Sequence, residues 1–589
     1  MKRKAGALVI ILCLMLSACG RAEEIAPNSV KVTPEPVSSG KTEVVSDENM
    51  ISEVTEDKAT EPIVLKVYSQ LSSRSGLHDQ GWFAKLMLDK YNVKLCYITE
   101  FDTEKEPEIE ADLIVYGSSR TQYRKAAAKG LLLDWEAEGL LENHGSYILE
   151  NMSHALEHNR RLMPEENKIF GLGDSVVPHA EVNEDFFYTW DIRWDLYKEL
   201  GYPQVADLED FVLLLEDMKE LCPVDEEGEE TYAMSLWSEW DRYGDIPMVV
   251  GSLATAYYGY DDFHLGLYDA TSGTFHGALE EGGPYEEMLA FFNTLYRKGL
   301  LDPASKTQSY EEASEKTKAG GVLFSVFDYA GSSTYNTEDH MTENKYMAAM
   351  PPAEASPAAY GLSVYGGNRI WSIGANTPYP ELCMEILNWF CTPEGRVTYA
   401  YGPKGVTWDY DEERSTYFTE LGRQCFQELH TKIPEEYGGG TFGDGSPQFN
   451  NVTWSIHAPN PETNGESYDC ESWKSNTPAA ACAMEQDWRD YTKAVNATEY
   501  IKTGKHVIIP KVTYEAAPKE AAFAQTWEQV RSCIMDGSWA AIYAESEEEF
   551  EKLLSEMRSK AAECGYAHCV TWCEFEAEKR KKLEQAVRE

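Results

Sequence analysis

The sequence predicts an α/β fold with more than one lobe, and three observations predict it. Strand-like runs alternate with helical stretches from Ile63 onward, the pattern of a mainly parallel sheet with helices on its faces. The chain has 589 residues, too many for one ordinary core and enough for two or three domains. Hydrophobic residues make up 43% and aromatic residues 12%, a composition that builds globular cores rather than disordered chain.

The first element is not part of that fold. Lys2, Arg3 and Lys4 precede an apolar run from Ala5 to Leu16, which is too short to span a bilayer and fits the apolar segment of a secretory signal. Leu16-Ser17-Ala18-Cys19 closes it and resembles a bacterial lipobox. That resemblance implies a signal peptide over 1–18 and a lipidated Cys19 as the first mature residue. An ordinary secretory signal with an incidental cysteine is the alternative. Residues 19–62 are rich in Glu, Pro, Ser, Thr, Val and Lys without a sustained apolar period, and are expected to form a flexible tether.

The body opens on Ile63-Val64-Leu65-Lys66-Val67-Tyr68, a strand pattern ending in Ser69-Gln70. Trp82, Phe83, Leu86 and Met87 then recur at helical spacing up to Tyr91. Val93 to Ile98 and Ala111 to Tyr116 read as strands, the latter stopping at Gly117-Ser118-Ser119. In a parallel sheet, ligands collect at the carboxyl ends of such strands. A helix is expected from Ile192 to Gly201, and another after the cap Asp207. Gly320 to Phe327 reads as a buried strand that runs out into Asp328-Tyr329. Ile370-Trp371-Ser372-Ile373 is a short strand leading to a helix from Pro380 to Cys391.

From Trp371 to Asp409 the order is a strand, Ala375-Asn376, a Pro-Glu helix, Thr392-Pro393-Glu394-Gly395 and then Tyr401-Gly402-Pro403-Lys404-Gly405-Val406. The segment Phe523 to Trp572 places Trp527 on a helix, then Asp536-Gly537-Ser538-Trp539, then an acidic helix from Ser546 to Gly565. In this order the chain resembles type 1 extracellular solute-binding proteins, the ligand receptors of ABC importers, in the branch that takes complex saccharides. The resemblance implies a two-lobed, type II periplasmic-binding-protein-like fold with mixed, mainly parallel sheets, flanking helices and a central cleft. It implies lobe one over 63–185 and 367–408, and lobe two over 186–366. Residues 409–589 are then mainly lobe two and C-terminal helices. The run Asn167 to Leu172 departs from the usual pattern, and Gly438 to Cys482 matches no part of it.

Two motifs point to other chemistry. His154-Ala155-Leu156-Glu157-His158 fits H-x-x-E-H, where two histidines one turn apart hold zinc and the glutamate acts as base. Asp409, Asp411, Glu413, Ser415 and Glu420 place oxygens at EF-hand positions, but Arg414 stands where the loop needs glycine. Asp225-Glu226-Glu227-Gly228-Glu229 is a second acidic loop. Solvated surface accounts for all three, so no cofactor is expected beyond a structural calcium at one of the acidic loops. No G-x-S-x-G, Walker loop or dinucleotide fingerprint occurs.

Aromatic residues carry the binding signal, with 15 Trp and 35 Tyr. A sugar presents apolar CH faces ringed by hydroxyls, so its receptor needs flat aromatic surfaces with polar side chains at their edges. The candidates are Trp82, Ser118, Trp190, Asp191, Trp237, Trp240, Asp328, Tyr329, Arg369, Trp371 and Trp408. Helical spacing of Trp190, Trp194 and Tyr197 also fits a core stripe.

Formal charge is −48, with 100 acidic and 52 basic residues, which excludes a general nucleic-acid binder. Thirteen cysteines, less Cys13 and Cys19, leave an odd number and argue against a complete disulfide framework. Cys564, Cys569 and Cys573 cluster without the spacing of a zinc site. The two resemblances together imply a monomeric, non-catalytic receptor outside the cytoplasm, anchored to the cell membrane by its lipid. It captures an oligosaccharide, with a peptide as the alternative ligand, and delivers it to ABC permease subunits. A lipid-anchored hydrolase, zinc peptidase or glycosidase, is the rival.

Overall fold

The structure is a computed structural model that describes residues 61–99, 111–163 and 165–589. The signal segment, Cys19 and the tether lie outside the described residues. None of the described helices is long and apolar enough to cross a membrane.

Two sheets organise the body. The larger has six strands, in the order Gly76–His78, Val93–Ile98, Ile63–Ser69, Leu113–Tyr116, Ile370–Ile373 and Leu172–Gly173. Its centre is parallel, as the alternation of strands and helices predicts: Ile63–Ser69 pairs in parallel with Val93–Ile98 and with Leu113–Tyr116. The sheet is less parallel than expected, because Gly76–His78, Ile370–Ile373 and Leu172–Gly173 all join antiparallel. The smaller sheet, Phe324–Phe327, Tyr188–Arg193 and Met347–Ala349, is antiparallel throughout.

Each sheet has its own core, and these define two lobes. In lobe one, Leu65, Val67, Leu113, Val115 and Trp371 pack with Phe390, Trp408 and Phe449, while Ile114, Tyr116, Tyr123 and Ile370 fill the other face. In lobe two, Trp190, Ile192, Phe211, Phe324 and Trp237 pack with Val530, Ile534 and Trp539 of the helix Ala521–Ile542. The chain passes between the cores around 183–187, 356–363 and 474–487, and Val512 and Val587 return to the lobe-one core from the C-terminal part of the chain. The second passage carries the strand Ala358–Tyr360, which pairs in parallel with Val507–Ile509.

Within 409–589, residues 409–473 pack in the core of lobe one, where Phe418, Cys425, Ile433, Phe442, Trp454 and Trp473 complete it, and Trp488 to Cys573 pack in that of lobe two. The unplaced stretch after Gly438 has a use in lobe one: Trp82 stacks on Phe442 at 5.8 Å and donates its indole N–H to the Phe442 carbonyl at 3.0 Å. The contact needs glycine on both sides, since a Cβ on Gly81 would lie 2.5 Å from the Gly445 Cα. Ile192 and Arg193, expected to begin a helix, end the strand Tyr188–Arg193 instead, and the helix runs over Trp194–Glu199. The helix Leu208–Leu221 starts as predicted, with the Asp207 carboxylate accepting the Asp210 N–H at 3.0 Å.

Candidate functional site

Lobe two builds an aromatic wall from three segments. Trp237 and Trp240 come from the loop after Leu236, Tyr310 from the first position of the helix Tyr310–Lys318, and Tyr329 from the exit of the strand Phe324–Phe327. Ser309 fixes Tyr310 at that helix start, through a capping box with Glu312. The Trp240 ring centre lies 5.0 Å from that of Tyr310, and the two planes are tilted by 35°. Trp237 meets Trp240 and Tyr310 edge-on at 5.4 and 5.0 Å. Phe187 joins at 5.0 Å from Tyr329. Trp240, Tyr310, Tyr329 and Phe187 are half-buried, while Trp237 and Phe327 are buried behind them. The surface left open is a set of aromatic faces held by a packed layer underneath.

Asp328 supplies the charge at this wall. Its Oδ1 is buried with no hydrogen-bond partner. Burial, and then the neighbouring Asp191 carboxylate, push its pKa up to about 6. Asp191 is 1% exposed, and its Oδ2 accepts the Ser332 N–H at 2.7 Å. The close approach requires glycine at 331, where a Cβ would sit 2.8 Å from the same oxygen. Asp191 reaches that place because Trp190 takes a left-handed backbone conformation, φ 56°, rare for a bulky residue. The partner strand shifts register between Ser325 and Phe327, as at a β-bulge. Trp190 and Asp191 therefore set the base of the loop that carries Asp328 and Tyr329.

The loop bearing Trp240 is tied to the C-terminal helix Ala521–Ile542. Trp539 donates its indole N–H to Asp241 Oδ2 at 2.7 Å, and Trp527 donates to Asp245 Oδ1 at 2.9 Å. Arg531 donates to the backbone oxygens of Asp241 and Gly244. Asp241 Oδ1 accepts the Met248 N–H, at the start of the helix Met248–Tyr257.

Lobe one brings polar groups to one edge of its sheet. Ser69 pairs beside Val115 and Ile370 beside Tyr116, so the register places Gln70, Gly117-Ser118 and Arg369 at the same end. Gln70 Oε1 accepts the Gly117 N–H at 2.6 Å, and Ser118 and Arg369 are exposed. The Arg369 backbone N–H is held by Asp174 Oδ1 at 3.0 Å.

Of the sequence candidates, Trp237, Trp240, Asp328 and Tyr329 come together, with Asp191 beneath them, while Ser118 and Arg369 share the lobe-one edge. The other four tryptophans are packing residues. Trp371 is 1% exposed, between Phe390 and Phe449, and donates to the Val452 carbonyl. Both faces of its strand are covered, so neither alternation phase reaches solvent. Trp190 packs on Phe211 and Phe324 and donates to the Ala256 carbonyl. Trp408 donates to the Gly402 carbonyl inside lobe one, and Trp82 is covered by Phe442. Tyr310 and Phe187 were not among the candidates. The capping box at Ser309 was the available signal for Tyr310, and Phe187 had none.

The H-x-x-E-H helix, Ser153–Leu162, is committed to packing. His158 stacks on Tyr365 at 5.1 Å and His154 meets the same ring edge-on. Arg120 Nη2 lies 3.2 Å from His158 Nε2. Burial, then Arg120 and Arg161, push the imidazole pKa down to about 4, so His158 is neutral and accepts from Arg120. Glu157 is bound by Arg160 and Arg161. A cation therefore stands where a metal would have to bind. In the acidic loops, Asp225 Oδ1 accepts the Glu227 and Glu229 N–H groups, and Asp411 Oδ1 those of Glu413 and Ser415. Among the described residues no group of three or more His, Cys, Asp or Glu side chains is placed to hold a metal ion.

Solved structures resemble this chain along nearly its whole length. The N-glycan transport solute binding protein NgtS from Streptococcus pneumoniae is 14% identical, covering 88% of this chain and 99% of its own, with a TM-score of 0.39. An extracellular solute-binding protein from Bifidobacterium longum subsp. infantis is 10% identical over 90% of this chain and 100% of its own, at 0.42. An HMO-binding, ABC-transporter-associated solute-binding protein from Bifidobacterium longum infantis is 11% identical over 88% and 99%, at 0.44. No protein-family model matches the chain, and no curated protein does.

Proposed function

We propose that this protein is an extracytoplasmic solute-binding protein, anchored by a lipid on Cys19, that captures an oligosaccharide and delivers it to an ABC permease. The aromatic wall of lobe two carries the reading. Half-exposed faces of Trp240, Tyr310 and Tyr329 suit the CH faces of sugar rings. The half-buried Asp328 carboxylate at the edge of this wall accepts from their hydroxyls, a charge-assisted hydrogen bond stronger than a neutral one. The sheet edge with Gln70, Ser118 and Arg369 supplies the opposing polar wall. In this reading the passage 183–187 links the lobes and delivers Phe187 to the aromatic wall, so closure about the passages brings both walls onto one ligand. The neighbouring structures, whose names speak of N-glycan transport and HMO binding, belong to the same class of receptor.

The test is a thermal-shift and calorimetric screen of the full chain against neutral, amino and acidic oligosaccharides and short peptides, with product analysis of each mixture. Stoichiometric binding of a glycan that is recovered intact supports the proposal. Peptide binding without glycan binding, or conversion of the glycan to product, overturns it.

A further inference from the structure

We propose that Cys533 and Cys564 are a disulfide-forming pair, a redox modification site that staples the helix Ala521–Ile542 to the end of the helix Glu547–Glu563. Their sulfur atoms lie 4.0 Å apart. The helices are successive elements of the C-terminal region and approach closely at Gly537, where a Cβ would meet the Met557 Sδ at 2.5 Å. Cys533 lies one turn before Gly537, on the face that packs against that neighbour. Cys564 is the C-cap residue of the second helix, where the chain turns at Gly565, φ 99°. Both thiols are half-buried at the margin of the lobe-two core, so a small reagent reaches them. Closing 4.0 Å to the bonding distance of about 2 Å takes side-chain rotation at a helix end rather than movement of the core. Cys569 and Cys573, which share a sequence cluster with Cys564, are fully buried on the helix Tyr566–Arg588 and serve packing.

The oxidant is a low-molecular-weight disulfide such as oxidised glutathione. One protein thiolate attacks it, forming a mixed disulfide and releasing one thiol. The second protein thiolate then attacks the protein sulfur of that mixed disulfide and releases the other. One S–S bond breaks in the reagent and one forms between Cys533 and Cys564. The two electrons and two protons leave with the two reagent thiols. Because the first helix holds the loop of Trp240 through Trp527, Arg531 and Trp539, the staple also fixes the support of the aromatic wall.

The experiment exposes the reduced full chain to oxidised glutathione, blocks remaining thiols by alkylation and maps the digest by mass spectrometry. A cross-linked Cys533–Cys564 peptide pair, lighter by two hydrogens, is expected, together with an unfolding midpoint that rises on oxidation and falls back on reduction. Cys533→Ser removes both effects, and Cys564→Ser, a partly exposed cap position, is the independent second variant. Recovery of both residues alkylated, or as separate glutathione adducts, overturns the proposal, as does cross-linking of either one to a different cysteine.

Discussion

The Trp240 and Tyr329 rings lie 28° from parallel with centres 6.2 Å apart, although 89 positions of sequence separate them. Two loops from different parts of lobe two thus present one aromatic surface. Removing either ring takes away a stacking partner, worth about 0.5–1.5 kcal/mol beyond its area. Trp240→Ala and Tyr329→Ala are each expected to weaken glycan binding by roughly tenfold, with little change in melting temperature because both rings are half-exposed. Titration calorimetry on the best glycan from the screen decides; unchanged affinity in both variants would remove this surface from the ligand site.

Binding is expected to weaken as pH falls through about 6, where Asp328 takes up a proton and its carboxylate stops accepting hydroxyls. Asp328→Asn flattens that dependence. The folded pKa of Asp328 is raised from 3.8 to about 6, so the folded protein holds this proton more tightly than the unfolded chain. The stabilising contribution is full below about 3.8 and lost as pH rises through about 6. Melting curves of wild type and Asp328→Asn across that window give the second readout, and parallel curves would refute the assignment.

Trp371→Ala is expected to be a stability mutation. Truncating a fully buried tryptophan costs about 3–5 kcal/mol, and the Val452 carbonyl loses its donor as well. Affinity measured on the folded fraction stays at the wild-type value. A tenfold loss of affinity at unchanged melting temperature would return Trp371 to the ligand site.

Metal analysis of the protein purified without chelator is expected to find no stoichiometric zinc, and His154→Ala with His158→Ala to leave glycan affinity unchanged. One zinc per chain, lost in the double variant, would contradict the arrangement of Arg120 against His158.

Cys19→Ala is expected to yield unlipidated protein released from the membrane fraction. An unmodified Cys19 in the native protein, seen by mass spectrometry, would remove the anchor from the proposal.

Several strands and helices of the body were legible because their periodicities and caps are local, while the strand end at Ile192 and Arg193 was not. Asp207 shows the local signal, since its cap follows from three residues of sequence. The site was legible in part. Asp328 and Tyr329 stood out at the end of a buried run, and Trp237 and Trp240 by density. Burial of the tryptophans was not legible, because it depends on partners far along the chain. Trp371 is covered by Phe449 and Trp82 by Phe442, both in a stretch that matched nothing. Nor does local pattern reveal a strand edge whose outer partners are antiparallel, because register decides it. Arg369 and Ser118 share an edge only through the pairing of Ile370 with Tyr116.

The tie between Trp539 and Asp241 also has a consequence for how the protein is made. Lobe two starts its sheet at Tyr188 and finishes its core with Cys573, so nearly two-thirds of the chain must be synthesised between its first and last packing residues. A chain made amino end first presents its aromatic loops before the helix that holds them. Until Trp527 and Trp539 emerge, those rings are exposed apolar surface of the kind that folding factors recognise and that aggregates when left uncovered. The yield of folded protein then depends on the last hundred residues, and tags or truncations at the carboxyl end act on a lobe that begins far upstream.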